Sequence, residues 1–237
     1  MNTKNSFRKG LVDGVPICLG YISVSFAFGI FAVENGLSAL EALLISMTCV
    51  TSAGQLAAVP IIALQGGLAQ LAMSQLVINM RYALMSISLS QKLNEKVTLA
   101  DRFAISFVNT DEVFAVASGQ KNRVNREYMY GLILTPWAGW AFGTLTGALA
   151  GNILPAVVTS SLGVAIYGMF IAIVVPEMKK SRPVALCVAI AVALSCLFWF
   201  VPVLNQIPSG FTIIICACAA SALMAAAAPI DIEEEAA

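Results

Sequence analysis

Histidine is absent from the 237-residue chain, and charge is scarce: Lys, Arg, Asp and Glu together make up 11% of it. Without imidazole there is no His general base, no Ser-His or Cys-His nucleophile pair, and no His ligand for zinc or haem. Basic and acidic side chains number 13 each and cancel. Such a chain lacks the clustered Lys and Arg from which nucleic-acid affinity derives. No G-x-x-x-x-G-K-[ST] stretch occurs, so ATP hydrolysis through a P-loop is excluded, and no dinucleotide fingerprint is present. The sequence calls for no cofactor, no metal and no enzymatic activity. Its six cysteines, Cys18, Cys49, Cys187, Cys196, Cys216 and Cys218, all lie in apolar stretches and read as small hydrophobes packed between helices.

What the chain has in abundance is apolar surface. Hydrophobic residues make up 59% of it and the mean hydropathy is +0.87, against about 45–50% apolar and about 25% charged in soluble domains. The expected fold is an all-α integral membrane protein forming one polytopic domain over 1–237, with a short N-terminus (1–10) and an acidic tail (230–237). A bilayer core of about 30 Å needs about 20 apolar residues in helix. Six runs meet this and are expected to be full transmembrane helices: 12–33, 70–90, 128–151, 155–176, 183–203 and 210–229. Two further hydrophobic segments, 39–65 and 103–118, are interrupted near their middles.

The first run follows Lys4, Arg8 and Lys9 and is longer than the 7–15 residues of a signal-peptide core, so it reads as a retained helix with a cytoplasmic N-terminus. Further basic clusters are Lys92, Lys96 and Arg102; Lys121, Arg123 and Arg126; and Lys179, Lys180 and Arg182. If 39–65 and 103–118 are re-entrant hairpins, every cluster faces the cytoplasm; if both span, the first faces out. The positive-inside rule favours hairpins, and either way the tail with Asp231, Glu233, Glu234 and Glu235 is cytoplasmic. Gly29 to Pro60 and Gly147 to Pro176 each run from a glycine-bearing helix through a turn to a helix closing on Pro, a hint of the internal repeats of transporters.

Three polar constellations interrupt this apolar background. Thr48, Thr51, Ser52, Gly54, Gln55 and Pro60 lie in the middle of 39–65, where Gly and Pro weaken the helix. Freed backbone groups in lipid need other partners. A discontinuous helix can turn its N-terminal dipole toward an anionic substrate group, so this break is a candidate carboxylate cradle; a hydroxyl-relieved proline kink is the competing reading. Asn79-Met80-Arg81-Tyr82, with Gln75 one turn earlier, lies inside 70–90. A charge at a helix centre costs about 2.5–3.5 kcal/mol on insertion scales, so Arg81 should face an acid, a substrate carboxylate or water, with a structural salt bridge as the alternative. Asn109-Thr110-Asp111-Glu112 interrupts 103–118. Adjacent carboxylates point to different faces, so one of Asp111 and Glu112 is expected to pair with Arg81 and the other to carry a coupling proton, unless both lie on a surface loop.

Gly139, Gly143, Gly147 and Gly151 recur at every fourth residue, a pattern for close helix packing. Tyr128, Trp137 and Trp140 are interfacial anchors or pocket walls. Tyr167 with Gly168, and Glu177 beside Pro176, are candidates for a cavity edge.

The ordered motifs Gly20-Tyr21, Phe28-Gly29, Gly36-Leu37-Ser38 with Glu41-Ala42, Ser52-Ala53-Gly54-Gln55, Asn79-Met80-Arg81-Tyr82 and Thr110-Asp111-Glu112 resemble those of the AzlC family, over about Phe7 to Pro202. Tyr82 stands here where many members have His, and Ser52 where many have Gly. The resemblance implies the large subunit of a bacterial branched-chain amino-acid exporter in the inner membrane, moving leucine, isoleucine, valine and methionine beside a small AzlD-like subunit. On this reading Ser52, Gly54, Gln55, Asn79, Arg81 and Tyr82 bind substrate, and Asp111 or Glu112 carries the proton. A scaffold subunit whose partner forms the path, and a carrier or channel for another small amino acid or carboxylate, are the alternatives.

Overall fold

The computed structural model describes residues 6–151, 153–155, 157, 168, 171, 174–176, 178–207 and 209–228. Its elements are helical: α1 (Phe7–Glu34), α2 (Ala39–Thr48), α3 (Ser52–Ala63), α4 (Leu68–Lys92), α5 (Leu99–Phe107), α6 (Asp111–Ser118), α7 (Arg126–Gly151), α8 (Arg182–Phe200) and α9 (Ser209–Ala227), with a 3-10 turn at Leu204–Gln206. Among the described residues extended pairing is confined to one isolated bridge between Leu93 and Val124.

Local chemistry explains where the helices start and stop. The Ser6 hydroxyl accepts the Lys9 N–H at 3.2 Å and opens α1. That helix closes at Asn35, after which Gly36 takes a left-handed φ of +88° that L side chains rarely adopt. Reciprocal capping boxes open α2 (Ser38 with Glu41) and α5 (Thr98 with Asp101), each satisfying two backbone donors that the first turn leaves without partners. Tyr130 adds a 2.7 Å bond to the other Asp101 oxygen. In the first turn of α5, the bonds from Thr98, then that from Tyr130, hold the Asp101 carboxyl below its ordinary range.

Both interrupted segments are broken helices. Cys49 leaves α2 with φ −125° and ψ 85°, and α3 starts at Ser52; Val108 to Thr110 separate α5 from α6. Of the six runs, α1 and α8 are the two described helices both long and apolar enough to cross a bilayer. α4 and α7 have 25 and 26 residues, but the polar stretches of each dilute its hydropathy. Most of the run 155–176, and with it most of the second arm of the repeat, lies outside the described residues, as do Tyr167, Glu177 and the acidic tail.

The chain divides into two units, residues 1–59 with 79–166 and residues 60–78 with 167–237. In the first, α1 and α7 pack backbone to backbone. A Cβ at Gly10, Gly29, Gly131, Gly143 or Gly147 would collide with the opposing helix: with the carbonyl oxygens of Tyr128, Thr144 and Phe7, with Ser25 Oγ, and with the Phe26 oxygen respectively. One at Gly139 would lie 2.5 Å from Cys18 Sγ and one at Gly151 2.6 Å from Val33. The four-residue glycine spacing of α7 therefore marks a helix seam, and α1 answers it with glycines of its own. Beside the seam lies a core of Ile17, Tyr21, Val113, Tyr128, Leu132 and Trp140 with their neighbours. In the second unit α8 packs on α9 and on the 3-10 turn, and a cavity of about 620 Å³ is lined by Leu64, Trp199, Phe200, Asn205 and Ile213 among others, with no Asp, Glu, Lys or Arg.

Candidate functional site

The two helix breaks open on one cavity of the first unit. It has a volume of about 180 Å³ and is lined by Thr48, Cys49, Val50 and Thr51 from the first break, by Ser106, Phe107, Asn109 and Thr110 at the second, and by Asn79 and Tyr82 of α4. Each break finds the partners that lipid would deny it. The Met47 carbonyl, left open at the end of α2, accepts from the Trp137 indole at 3.2 Å. Thr51 caps α3, its oxygen accepting the Gly54 N–H and its hydroxyl donating to Asn79 Oδ1, both at 3.0 Å. Thr110 caps α6 through a 3.4 Å bond from the Val113 N–H. One cavity-lining atom is left over: Asn109 donates to Ser86 through Nδ2 at 3.2 Å, while its buried Oδ1 has no hydrogen-bond partner among the described residues.

Charge gathers beside this cavity. Arg81 pairs with Asp111 at 2.8 Å, donates to the Tyr82 hydroxyl at 3.0 Å, and lies over the Tyr82 ring with its guanidinium carbon 4.8 Å from the centroid. The pair is not sealed, the two side chains being 56% and 45% exposed. Glu112 is held separately. Its Oε2 lies 2.5 Å from the hydroxyl of Tyr21, whose oxygen is also 2.6 Å from Thr110 Oγ1. Tyr21 is 8% exposed and meets Trp140 edge to face at 4.8 Å. The two adjacent carboxylates thus have different partners, a cation for Asp111 and a phenol for Glu112. A phenol both donates and accepts, so Tyr21 joins Glu112 to the Thr110 hydroxyl on the cavity wall.

The sequence-derived candidates fall into three places. Asn79 and Tyr82 line the cavity, and Arg81, Asp111 and Glu112 flank it through Tyr82, Tyr21 and Thr110. Ser52 begins α3 half-buried, and Gly54 is buried one turn into the helix. Gln55 belongs to another network: its Oε1 accepts from Trp140 Nε1 and its Nε2 donates to Ser46 Oγ, both at 2.7 Å, and Ser46 meets Thr144 at 2.6 Å. Ser46, Gln55 and Thr144 are fully buried, so this amide pins α2, α3 and α7 together. Trp137 and Trp140 are therefore hydrogen-bonding members of the core. Tyr128 donates to Asp13 at 2.7 Å and accepts from Gln120 at 2.9 Å, with Lys9 paired to Asp13 and stacked over the ring.

Sequence reasoning passed over Tyr21 as a partner of Glu112. Its signal was a lone hydroxyl facing inward between Ile17 and Ser25 on one face of α1.

Comparison with known proteins agrees with a membrane role. The chain is 29% identical over 198 residues to the inner membrane protein YgaZ of Escherichia coli, covering 80% of each chain. It is 34% identical over 191 residues to an uncharacterized membrane protein of Archaeoglobus fulgidus, covering 80% of this chain and 84% of that one. A membrane protein of Helicobacter pylori is 28% identical over 156 residues, 62% of this chain and 67% of its own. No solved structure matches. The family model described as AzlC protein matches residues 16–154, a stretch that holds both helix breaks, the cavity and every charged residue beside it. The chain is thus a membrane protein of the AzlC family, a membership that implies membrane transport.

Proposed function

We propose that this protein exports the branched-chain amino acids leucine, isoleucine and valine, together with methionine, as the large subunit of a two-component secondary transporter completed by a small AzlD-like membrane subunit. Both termini face the cytoplasm of a bacterial inner membrane. The observation that carries this reading is the meeting of two broken helices on one cavity, with an ion pair and a second, separately held carboxylate at its edge. The volume of about 180 Å³ equals the liquid share of roughly six waters, the scale of a small amino acid. Val50 and Phe107 offer the apolar part of the lining, where an aliphatic side chain belongs. The capped N-terminus of α3 offers its positive end to the substrate carboxylate, and Arg81 adds the nearest positive charge.

Coupling falls to Glu112. Asp111 is neutralised by Arg81, whereas Glu112 is exposed at the first turn of α6 and meets only the neutral hydroxyl of Tyr21 among its described partners. Loading cells with a leucine-containing dipeptide, with and without the small subunit, and following leucine inside and out tests the function. Efflux is expected to accelerate only with both chains, Glu112→Gln to remove its dependence on the pH gradient, and Tyr21→Phe to slow it roughly tenfold by withdrawing a hydrogen bond to a charged group. Unchanged pH dependence in Glu112→Gln would reject the coupling role.

A further inference from the structure

Two chemical features of the cavity point in opposite electrical directions. At the first break, Thr51 presents the start of a twelve-residue helix. The N–H groups of Ser52 and Ala53 precede its first i→i−4 bond, an arrangement that suits an anion. At the second break, Asn109 is 4% exposed and its amide oxygen is left without a donor. Its amide nitrogen donates to Ser86, so the oxygen is the end left over. A buried acceptor with no partner costs free energy in the empty protein; a ligand O–H satisfies it, and a charged N–H does so about twice as strongly. Among the described residues no Asp or Glu lines the cavity, so a neutral oxygen is the acceptor on offer. Neutral oxygens take up an ammonium group without trapping it as a carboxylate would.

We infer that this cavity recognises a zwitterionic α-amino acid by its two ends, Asn109 Oδ1 accepting from the α-ammonium while the start of α3 receives the α-carboxylate. Asn109 is then the residue that makes the cavity select amino acids over the corresponding hydroxy acids. This rests on the transport reading above but extends to any small amino acid, so the two can fail separately. It also explains why an amide stands immediately before the cap of α6: a hydrophobic residue there would fill the lining but leave the ammonium unmatched.

The test is calorimetric binding to the full chain in lipid nanodiscs, using leucine, its α-hydroxy analogue 2-hydroxyisocaproate, and alanine. Wild type should bind leucine roughly tenfold more tightly than the hydroxy acid, the difference between a charged and a neutral donor to the same oxygen. Asn109→Leu should bring the two within about threefold of each other. Asn109→Asp keeps an acceptor in place and should retain the preference, which guards against a folding defect being read as lost recognition. Ser86→Ala should also retain it, because a purely structural role for Asn109 through Ser86 would be disturbed equally by that change. Equal binding of leucine and hydroxy acid by wild type would mean that water alone satisfies Asn109, and would overturn the inference, as would an undiminished preference in Asn109→Leu. Binding of alanine but not leucine, dependent on Asn109, would uphold the inference and sink the branched-chain assignment. Binding of neither amino acid would overturn it.

Discussion

α1 meets the rest of its unit in two contrasting ways. Where it faces the glycines of α7, backbone lies on backbone at Gly10, Gly29, Gly131 and Gly147, and only the short side chains of Cys18, Ser25 and Val33 reach the remaining glycines. At Tyr21 the same helix extends a long aromatic side chain to Glu112 and Thr110, toward the broken helices and their cavity. The first contact is dry, dense and intolerant of added atoms, and a cation or proton could do nothing to it. The second is polar, half-open and built of groups that change partners at little cost. A transporter needs both: close packing transmits strain and holds distances, while an interrupted, solvated site lets charge enter at membrane depth. The difference shows that the short helices α2, α3, α5 and α6 are not failed spans. They are where the polar work is concentrated, and the α1–α7 seam is the frame that holds them.

Substitutions can break or sharpen this contrast. The largest effect is expected at the seam. Gly147→Leu would drive a side chain into the Phe26 backbone, beyond the roughly 1–3 kcal/mol of ordinary overpacking, and should abolish monodisperse protein on gel filtration after detergent extraction. Gly20→Ala on the same helix as the α1 seam glycines has nothing within 4 Å of the added carbon and should raise the melting temperature slightly, by the roughly 0.5–1 kcal/mol that alanine gains over glycine in a helix. Equal outcomes for the two would dissolve the distinction between seam and free face.

An intermediate effect is expected at the junction between the regions. Gln55→Leu strands the Trp140 indole N–H and should cost about 1–3 kcal/mol. Adding Trp140→Phe removes the stranded donor, so the double variant should be more stable than the sum of the singles predicts. Additive losses in thermal melts would show that Gln55 acts by volume alone.

The smallest effect lies at the entrance to α5. Because Asp101 is held below its ordinary carboxyl range, its contribution is complete above the unfolded value of about 3.9 and is lost as pH falls through the lower folded value. Thr98→Val should therefore lower the melting temperature near neutrality and shrink that difference as the pH drops below about 4. A difference independent of pH would assign the loss to helix capping without linkage to this carboxyl.

Much of this architecture was legible before any coordinates. Gly-x-x-x repeats carry their meaning locally, because only a neighbouring backbone needs an unobstructed face, and Gly139 to Gly151 met one. Interruptions were visible because polar residues inside apolar segments have few other uses, but the break expected at Ser52 to Gln55 falls at Cys49 to Thr51, with Gly54, Gln55 and Pro60 inside α3, while the second falls at Val108 to Thr110. The pairing of Arg81 with one of two adjacent acids followed from the cost of a lone charge in lipid, although the choice of Asp111 depended on how α4 faces α6. Gln55 illustrates what stays hidden. Its neighbours in sequence suggested a substrate cradle, but its hydrogen-bond partners come from residues 9 and 85 positions away, and no local pattern encodes them. Tyr21 and Glu112 are separated by 91 positions, so their meeting belongs to the tertiary fold alone.

The buried run from Trp140 through Gln55 and Ser46 to Thr144 has one further consequence, for insulation. A chain conducts protons only if every member can both take one and pass one on, and the indole nitrogen of Trp140 can only give. With that donor at one end, the amide oxygen of Gln55 is committed to it and the amide nitrogen to Ser46, so the direction of these two bonds is set even though the hydroxyls of Ser46 and Thr144 can exchange donor and acceptor. The run is electrically a dead end. On the coupling role proposed for Glu112, this run offers its proton no route through the helix core on this side.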